Sequence, residues 1–177
     1  MSYKLENKPA DTRNYNDRPG GRKPKGILLH HWGTDGQSHD NVVAYLRRYR
    51  PANPTSAHEV ISAGRVSKLV PLLKRAWHAR SANNDWIGLE NRPEMSDGDW
   101  ATLVERCADI ERETGRSMRY GKHNDVVNTA CPGRYASRIG ELVNAVNANL
   151  AGAGTPVLSV YLVTAVWASG NSGLTTG

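Results

Sequence analysis

Apolar residues occur along the chain in short blocks set between polar, Gly- and Pro-rich stretches, and the spacing within each block separates strands from helices. Residues 1–24 are polar and rich in Asn, Asp, Arg, Gly and Pro, which reads as an irregular lead-in. Gly26-Ile-Leu-Leu-His is a continuous apolar run of buried-strand type, ended by the loop residues Trp32-Gly-Thr-Asp-Gly. Val42, Val43, Leu46 and Tyr49 then recur at helical spacing behind Asp40 as the expected cap, and Arg50-Pro51 stops that helix. His58-Glu-Val-Ile and Arg65-Val-Ser-Lys-Leu-Val-Pro flank Ser62-Ala-Gly as a hairpin, and Asp85 to Asn91 reads as a further strand. Ser96-Asp-Gly-Asp predicts a capping box for a helix with Trp100, Leu103, Val104, Cys107 and Ile110 on one face, ending at Thr114-Gly115. Met118 to Lys122 completes the strands, and a last helix over 137–150 aligns Ile139, Leu142, Val143, Val146 and Leu150.

Strands and helices alternate through a single unit, so the expected architecture is α/β, one mixed sheet with packed helices. With 177 residues and 19.4 kDa, one domain over 25–150 is the natural division. Residues 151–177 carry no charged side chain and form an apolar, Gly-rich C-terminal segment too short in its apolar part to span a bilayer. The 23 basic against 17 acidic residues give +6 and a pI near 9.5, a surface suited to anionic polymers such as nucleic acid, an anionic membrane or an acidic cell wall. No aromatic clustering or groove-reading motif supports nucleic acid. The first residues lack the apolar stretch of a secretory signal, so the expected compartment is a reducing cytoplasm in which Cys107 and Cys131 stay as thiols.

Six histidines stand at 30, 31, 39, 58, 78 and 123. His30 and His31 lie at the end of the first apolar strand, and His123 follows the strand ending at Lys122. Cys131 precedes Pro132-Gly133, a turn that fixes the thiol in place. Two imidazoles and a thiolate, with a fourth position open, are the donor set of a catalytic zinc site. From position alone, either member of the His30-His31 pair could serve. Cys107 falls on an apolar helical stripe and reads as a small core residue.

Five stretches occur in a recognisable order: Ile27-Leu-Leu-His-His, Ser56-Ala-His-Glu-Val-Ile, Ala76-Trp-His-Ala, Ile87-Gly-Leu-Glu-Asn, and His123 through Cys131-Pro-Gly. Over about residues 25–150 the chain resembles the zinc-dependent N-acetylmuramoyl-L-alanine amidases of type 2, a group that takes in phage lysozyme, AmpD-like and peptidoglycan-recognition proteins. The resemblance implies Zn2+ on His30, His123 and Cys131, with the first histidine of the pair as ligand and His31 as a neighbour shaping the pocket. It implies Glu90 as general base. Other members carry a tyrosine where this chain has Ala57, which makes Glu90 the more necessary, with Glu59 as a weaker rival. Thr129 stands where many members have lysine and is implied to assist the oxyanion, while His78 and His58 are implied pocket residues that contact substrate.

The implied activity is hydrolysis of the amide between N-acetylmuramic acid and L-alanine of the peptidoglycan stem peptide, with zinc as the only cofactor. A phage endolysin acting as a monomer, held in the host cytoplasm until lysis and then reaching the cell wall, suits both the basic surface and the missing signal. A non-catalytic peptidoglycan-binding module, which usually lacks the cysteine ligand, and a bacterial cell-wall recycling amidase are the alternatives.

Overall fold

The computed structural model describes residues 2–152. A six-stranded sheet is built from β1 (Lys4–Asn7), β3 (Gly26–His31), β4 (Glu59–Ser62), β5 (Arg65–Lys68), β7 (Trp86–Asn91) and β8 (Arg119–Lys122), in the order β1-β5-β4-β7-β3-β8. The β4–β5 hairpin is antiparallel and every other neighbouring pair is parallel, so the sheet is mixed. A separate two-stranded ribbon joins β2 (Tyr15–Asn16) to β6 (Arg75–Ala76). Helices α2 (Asp97–Thr114) and α3 (Ile139–Gly152) cover one sheet face and α1 (His39–Arg47) the other. Among the described residues, no helix is long and apolar enough to cross a membrane.

Strand alternation sorts each side chain to one of the two faces. Ile27 and Leu29 of β3, Ile61 of β4, and Ile87 and Leu89 of β7 pack with Leu103, Cys107 and Ile110 of α2 and with Leu142 and Val146 of α3. Val60 of β4 points the other way, into a second core with Val42, Val43 and Leu46 of α1. The residues between these apolar positions, His30 and Glu90 among them, are therefore carried to the α1 face.

The capping box of α2 forms as the sequence predicts: Ser96 Oγ accepts from the Asp99 N–H at 3.2 Å and Asp99 Oδ2 accepts from the Ser96 N–H at 2.9 Å. Asp99 also accepts from the Ala63 N–H at 2.7 Å and Thr102 from the Gly64 N–H at 2.8 Å, so the start of α2 holds the tip of the hairpin. Gly115, at φ 63°, closes the helix in the left-handed conformation.

Three boundaries differ from expectation. The lead-in is not irregular throughout: Lys4–Asn7 pairs parallel with β5, and Tyr3 lies in the main core. An edge strand held by main-chain hydrogen bonds needs no apolar run, which is why its polar sequence gives no signal. Helix α1 is capped by Ser38, whose Oγ accepts from the Asn41 N–H at 3.2 Å, while Asp40 pairs with Arg65. That helix ends at Arg47, and Tyr49 lies beyond it under the Arg13 guanidinium at 4.3 Å. The sequence reading of 151–177 falls almost wholly outside the described residues.

Candidate metal centre and cleft

Parallel pairing of β3 with β7 sets His30 opposite Glu90, and pairing of β3 with β8 carries the chain to His123 one residue past Leu29–Lys122. Asn91, itself buried, donates through Nδ2 to the His30 carbonyl at 2.9 Å and to the Leu89 carbonyl at 3.0 Å, tying the ends of β3 and β7 together. Cys131 arrives from a loop after β8. Its Sγ accepts the His31 N–H at 3.3 Å, and its own N–H donates to Thr129 Oγ1 at 3.2 Å. Arg134 anchors this loop through a bidentate pair with Asp35 and a 2.6 Å hydrogen bond to the Pro93 carbonyl.

The ligand atoms of His30, His123 and Cys131 all lie within 4.8 Å of one another. His30 Nδ1 is 3.8 Å from Cys131 Sγ. Tetrahedral zinc, with its usual Zn–N and Zn–S bond lengths, sets that edge at about 3.6 Å. The His30 and His123 rings stand 4.2 Å apart, and His123 Nδ1 is buried with no hydrogen-bond partner. Burial holds His30 and His123 below the ordinary histidine range, with neighbouring imidazoles adding to the effect, so their lone pairs are free at neutral pH. Burial pushes the Cys131 thiol up to about 12, a cost that an adjacent divalent cation removes. This donor set fits a zinc ion.

His31 is turned away from the cluster. Its ring packs against Gly133, where an added Cβ would come within 3.1 Å, and its Nδ1 accepts from the Gly33 N–H at 3.1 Å. The alternation of β3 thus separates two adjacent histidines that composition alone leaves equivalent.

Glu90 is on the same face as His30, and its Oε2 is buried without a partner. Burial alone raises its pKa to about 7. A cation on the neighbouring ligands would draw that value down toward the carboxylate. Glu59 is on the opposite face of the sheet, fully buried in a bidentate pair with Arg106 at 2.6 and 2.7 Å. It cannot reach the cluster, which removes it as a rival base. Thr129 Oγ1 accepts from the Cys131 N–H, which ties this hydroxyl to the loop that carries the thiol.

A cleft of about 820 Å³ borders this centre and runs between α1 and the segments around Pro54 and Ala79, with Tyr45, Trp77, His78, Arg80 and Glu90 in its walls. His31 also lines it. His58 does not: it is completely buried, with Nδ1 accepting from the Gly88 N–H at 2.9 Å and Nε2 donating to the Lys74 carbonyl at 3.0 Å. The structure therefore places His58 beneath the cleft as a support for β7, where it has no reach to a substrate.

The sequence profile of the Amidase_2 family, described as N-acetylmuramoyl-L-alanine amidase, matches residues 20–134, well over half of the chain. The chain belongs to this amidase family. Among solved structures, the PlyG catalytic domain is similar at a TM-score of 0.69 and 20% identity, covering 86% of this chain and 99% of that one. A mutant endolysin from Bacillus subtilis matches at 0.63 and 20%, covering 81% and 99%, and an AmpD derivative at 0.61 and 21%, covering 78% and 93%. At these identities the likeness establishes the type 2 amidase fold. No curated protein sequence matches the chain.

One residue that supports the cleft wall has no sequence signal. Arg18 is buried and donates to the carbonyls of Asn83 at 2.8 Å, Asn84 at 3.0 Å, Trp86 at 3.1 Å and Leu72 at 3.3 Å, with no carboxylate among these partners. It fastens the cleft wall at 80–84 to β7 from a position just before the matched stretch. One arginine in a polar lead-in cannot be told from its solvated neighbours without the fold.

Proposed function

We propose that this protein hydrolyses the amide between the lactyl group of N-acetylmuramic acid and L-alanine of the peptidoglycan stem peptide, as a zinc-dependent enzyme. The observation that carries the reading is the convergence of His30, His123 and Cys131 on the sheet face where the unpartnered Glu90 carboxyl opens to the cleft. His30, His123 and Cys131 would hold the zinc ion. Two neutral imidazoles and one thiolate leave such a site at net +1, and the ion supplies Lewis acidity for the scissile carbonyl and for an attacking water.

The protein's own groups carry the proton. Glu90, with no hydrogen bond to tie its Oε2, accepts a proton from the attacking water and returns it to the departing L-alanine amine. A cation on the neighbouring ligands would offset the burial that raises its pKa and favour the carboxylate that accepts the first proton. The Thr129 hydroxyl donates to the oxygen that gains charge in the tetrahedral transition state, offering a hydrogen bond but no positive charge. The cleft walls orient the muropeptide, with Tyr45 and Trp77 among the side chains that line it.

A role as a phage endolysin is supported by the likeness to the Bacillus subtilis endolysin and by the basic surface. The alternative is a bacterial cell-wall recycling amidase acting on soluble wall fragments. Rates on intact sacculi and on soluble muropeptides separate the two, an endolysin requiring efficient attack on sacculi. The central reading is tested by zinc content and by release of new L-alanine amino termini from peptidoglycan. Cys131→Ser is expected to lose both zinc and activity, and Glu90→Gln to keep zinc while losing about 10²–10⁴-fold in rate. Wild-type protein that binds wall without releasing amino termini would make it a recognition module.

A further inference from the structure

His78 is implied by resemblance to touch substrate, yet its strongest contact is with a residue of the ligand cluster. Its Nδ1 lies 2.9 Å from His30 Nε2, the two rings meeting edge to face at 87° with centroids 4.9 Å apart. One of these nitrogens must carry the shared proton. His30 Nδ1 is the nitrogen on the Cys131 side. If it is to offer a lone pair there, the His30 proton must sit on Nε2 and His78 must accept it. The reverse arrangement, with His78 donating, puts the His30 proton on Nδ1 and closes that side.

The surroundings of His78 hold it in place for this contact. Its N–H and that of Ala79 both donate to Asn83 Oδ1, at 3.0 and 2.6 Å, and the Asn83 carbonyl is in turn held by Arg18 at 2.8 Å. The ring lies flat on Gly88, where a Cβ would come within 2.6 Å of Cγ and Nδ1, so the strand residue beneath it must be glycine. Gly88 is itself fixed by its N–H to His58 Nδ1. A side chain held on so many sides, with Nδ1 turned to His30 and Nε2 buried without a hydrogen-bond partner, is built to orient another group.

We propose that His78 is a positioning residue: its Nδ1 accepts the Nε2 proton of His30 and fixes His30 in the tautomer that presents Nδ1 to a divalent cation shared with His123 and Cys131. The inference rests on the reading of that cluster as a zinc site. Loss of an outer partner of this kind typically costs 10–100-fold in metal affinity.

The experiment measures zinc affinity by chelator competition in wild type, His78→Gln and His78→Leu, together with the 15N shifts of the His30 ring in the metal-free wild type. A glutamine Oε1 can accept the same proton and a leucine cannot. The expected result is a loss of about 10–100-fold in zinc affinity for His78→Leu, substantial rescue by His78→Gln, and a proton on His30 Nε2 in the metal-free protein. Zinc binding by His78→Leu equal to wild type, with only KM raised, would overturn the proposal in favour of substrate contact. A His30 ring protonated on Nδ1 in the metal-free wild type would also overturn it, and needs no variant to fold. Wild type that takes up no stoichiometric zinc refutes the zinc reading itself, a failure visible before any variant is compared.

Discussion

Two glutamates on neighbouring strands, Glu59 and Glu90, test whether sheet face decides chemical role. Glu59→Gln keeps the side-chain shape and one acceptor but removes the charge that faces Arg106. Both side chains of that pair are fully buried, and the guanidinium bonds both carboxylate oxygens at 2.6 and 2.7 Å. Burial favours the neutral acid at Glu59, raising its pKa, while the Arg106 hydrogen bonds oppose this. Breaking a buried pair on one side costs about 3–5 kcal/mol because a charge is left without its partner. Arg106 retains Glu113 at 2.5 Å, and Glu113 is partly exposed, so the lower end, ~3 kcal/mol, applies. In a chain of this size that loss lowers Tm by about 6–12 °C. The variant is to be melted by circular dichroism and assayed for amide hydrolysis at a temperature where it remains folded. Folded Glu59→Gln should have a kcat within a few-fold of wild type. Unchanged stability, or a folded variant that has lost 100-fold in kcat, would refute the assignment of Glu59 to the core and reopen the choice of base.

Two further outcomes follow from buried groups outside the ligand cluster. His39 sits between Ser62 Oγ at 2.8 Å and Ser67 Oγ at 2.9 Å, and burial, with Arg65 adding and Asp40 and Glu6 opposing, holds its pKa at about 4. An unfolded chain takes up that proton near 6.5, so the unfolded state binds more protons between these values. His39 therefore costs stability progressively as pH falls from about 6.5 to 4, by up to ~3 kcal/mol, or about 2 kcal/mol when water near the start of α1 is allowed for. Urea midpoints compared at pH 7.5 and 4.5 should differ less in His39→Gln than in wild type, and an equal difference would count against the reasoning. Arg18→Met strips donors from four main-chain carbonyls and is expected to destabilise by about 2–4 kcal/mol, with the largest rise in amide exchange at 77–86. Exchange that rises evenly over the whole chain would show that Arg18 does not act on the cleft wall in particular.

Local pattern was enough for the parts of this protein that depend on neighbours in sequence. The apolar run at Ile27 to Leu29, the capping box at Ser96 to Asp99 and the stripe from Leu103 to Ile110 all form as read, because alternation and helical spacing are short-range consequences of backbone geometry. The same reading missed β1, whose place in the sheet comes from main-chain pairing with β5, some sixty residues away.

The site divides in the same way. Residue type and order along the chain were sufficient to nominate His30 or His31, His123 and Cys131, while Glu90 came from the family resemblance. Which of two adjacent histidines turns toward the thiol and why Glu90 faces it while Glu59 is locked to Arg106 were decided by register across β3, β4 and β7, and only loop contacts set His58 under the strand and His78 against His30. A one-residue step along a strand reverses the face, and no local propensity distinguishes one polar residue from the next until the apolar positions between them have chosen their core.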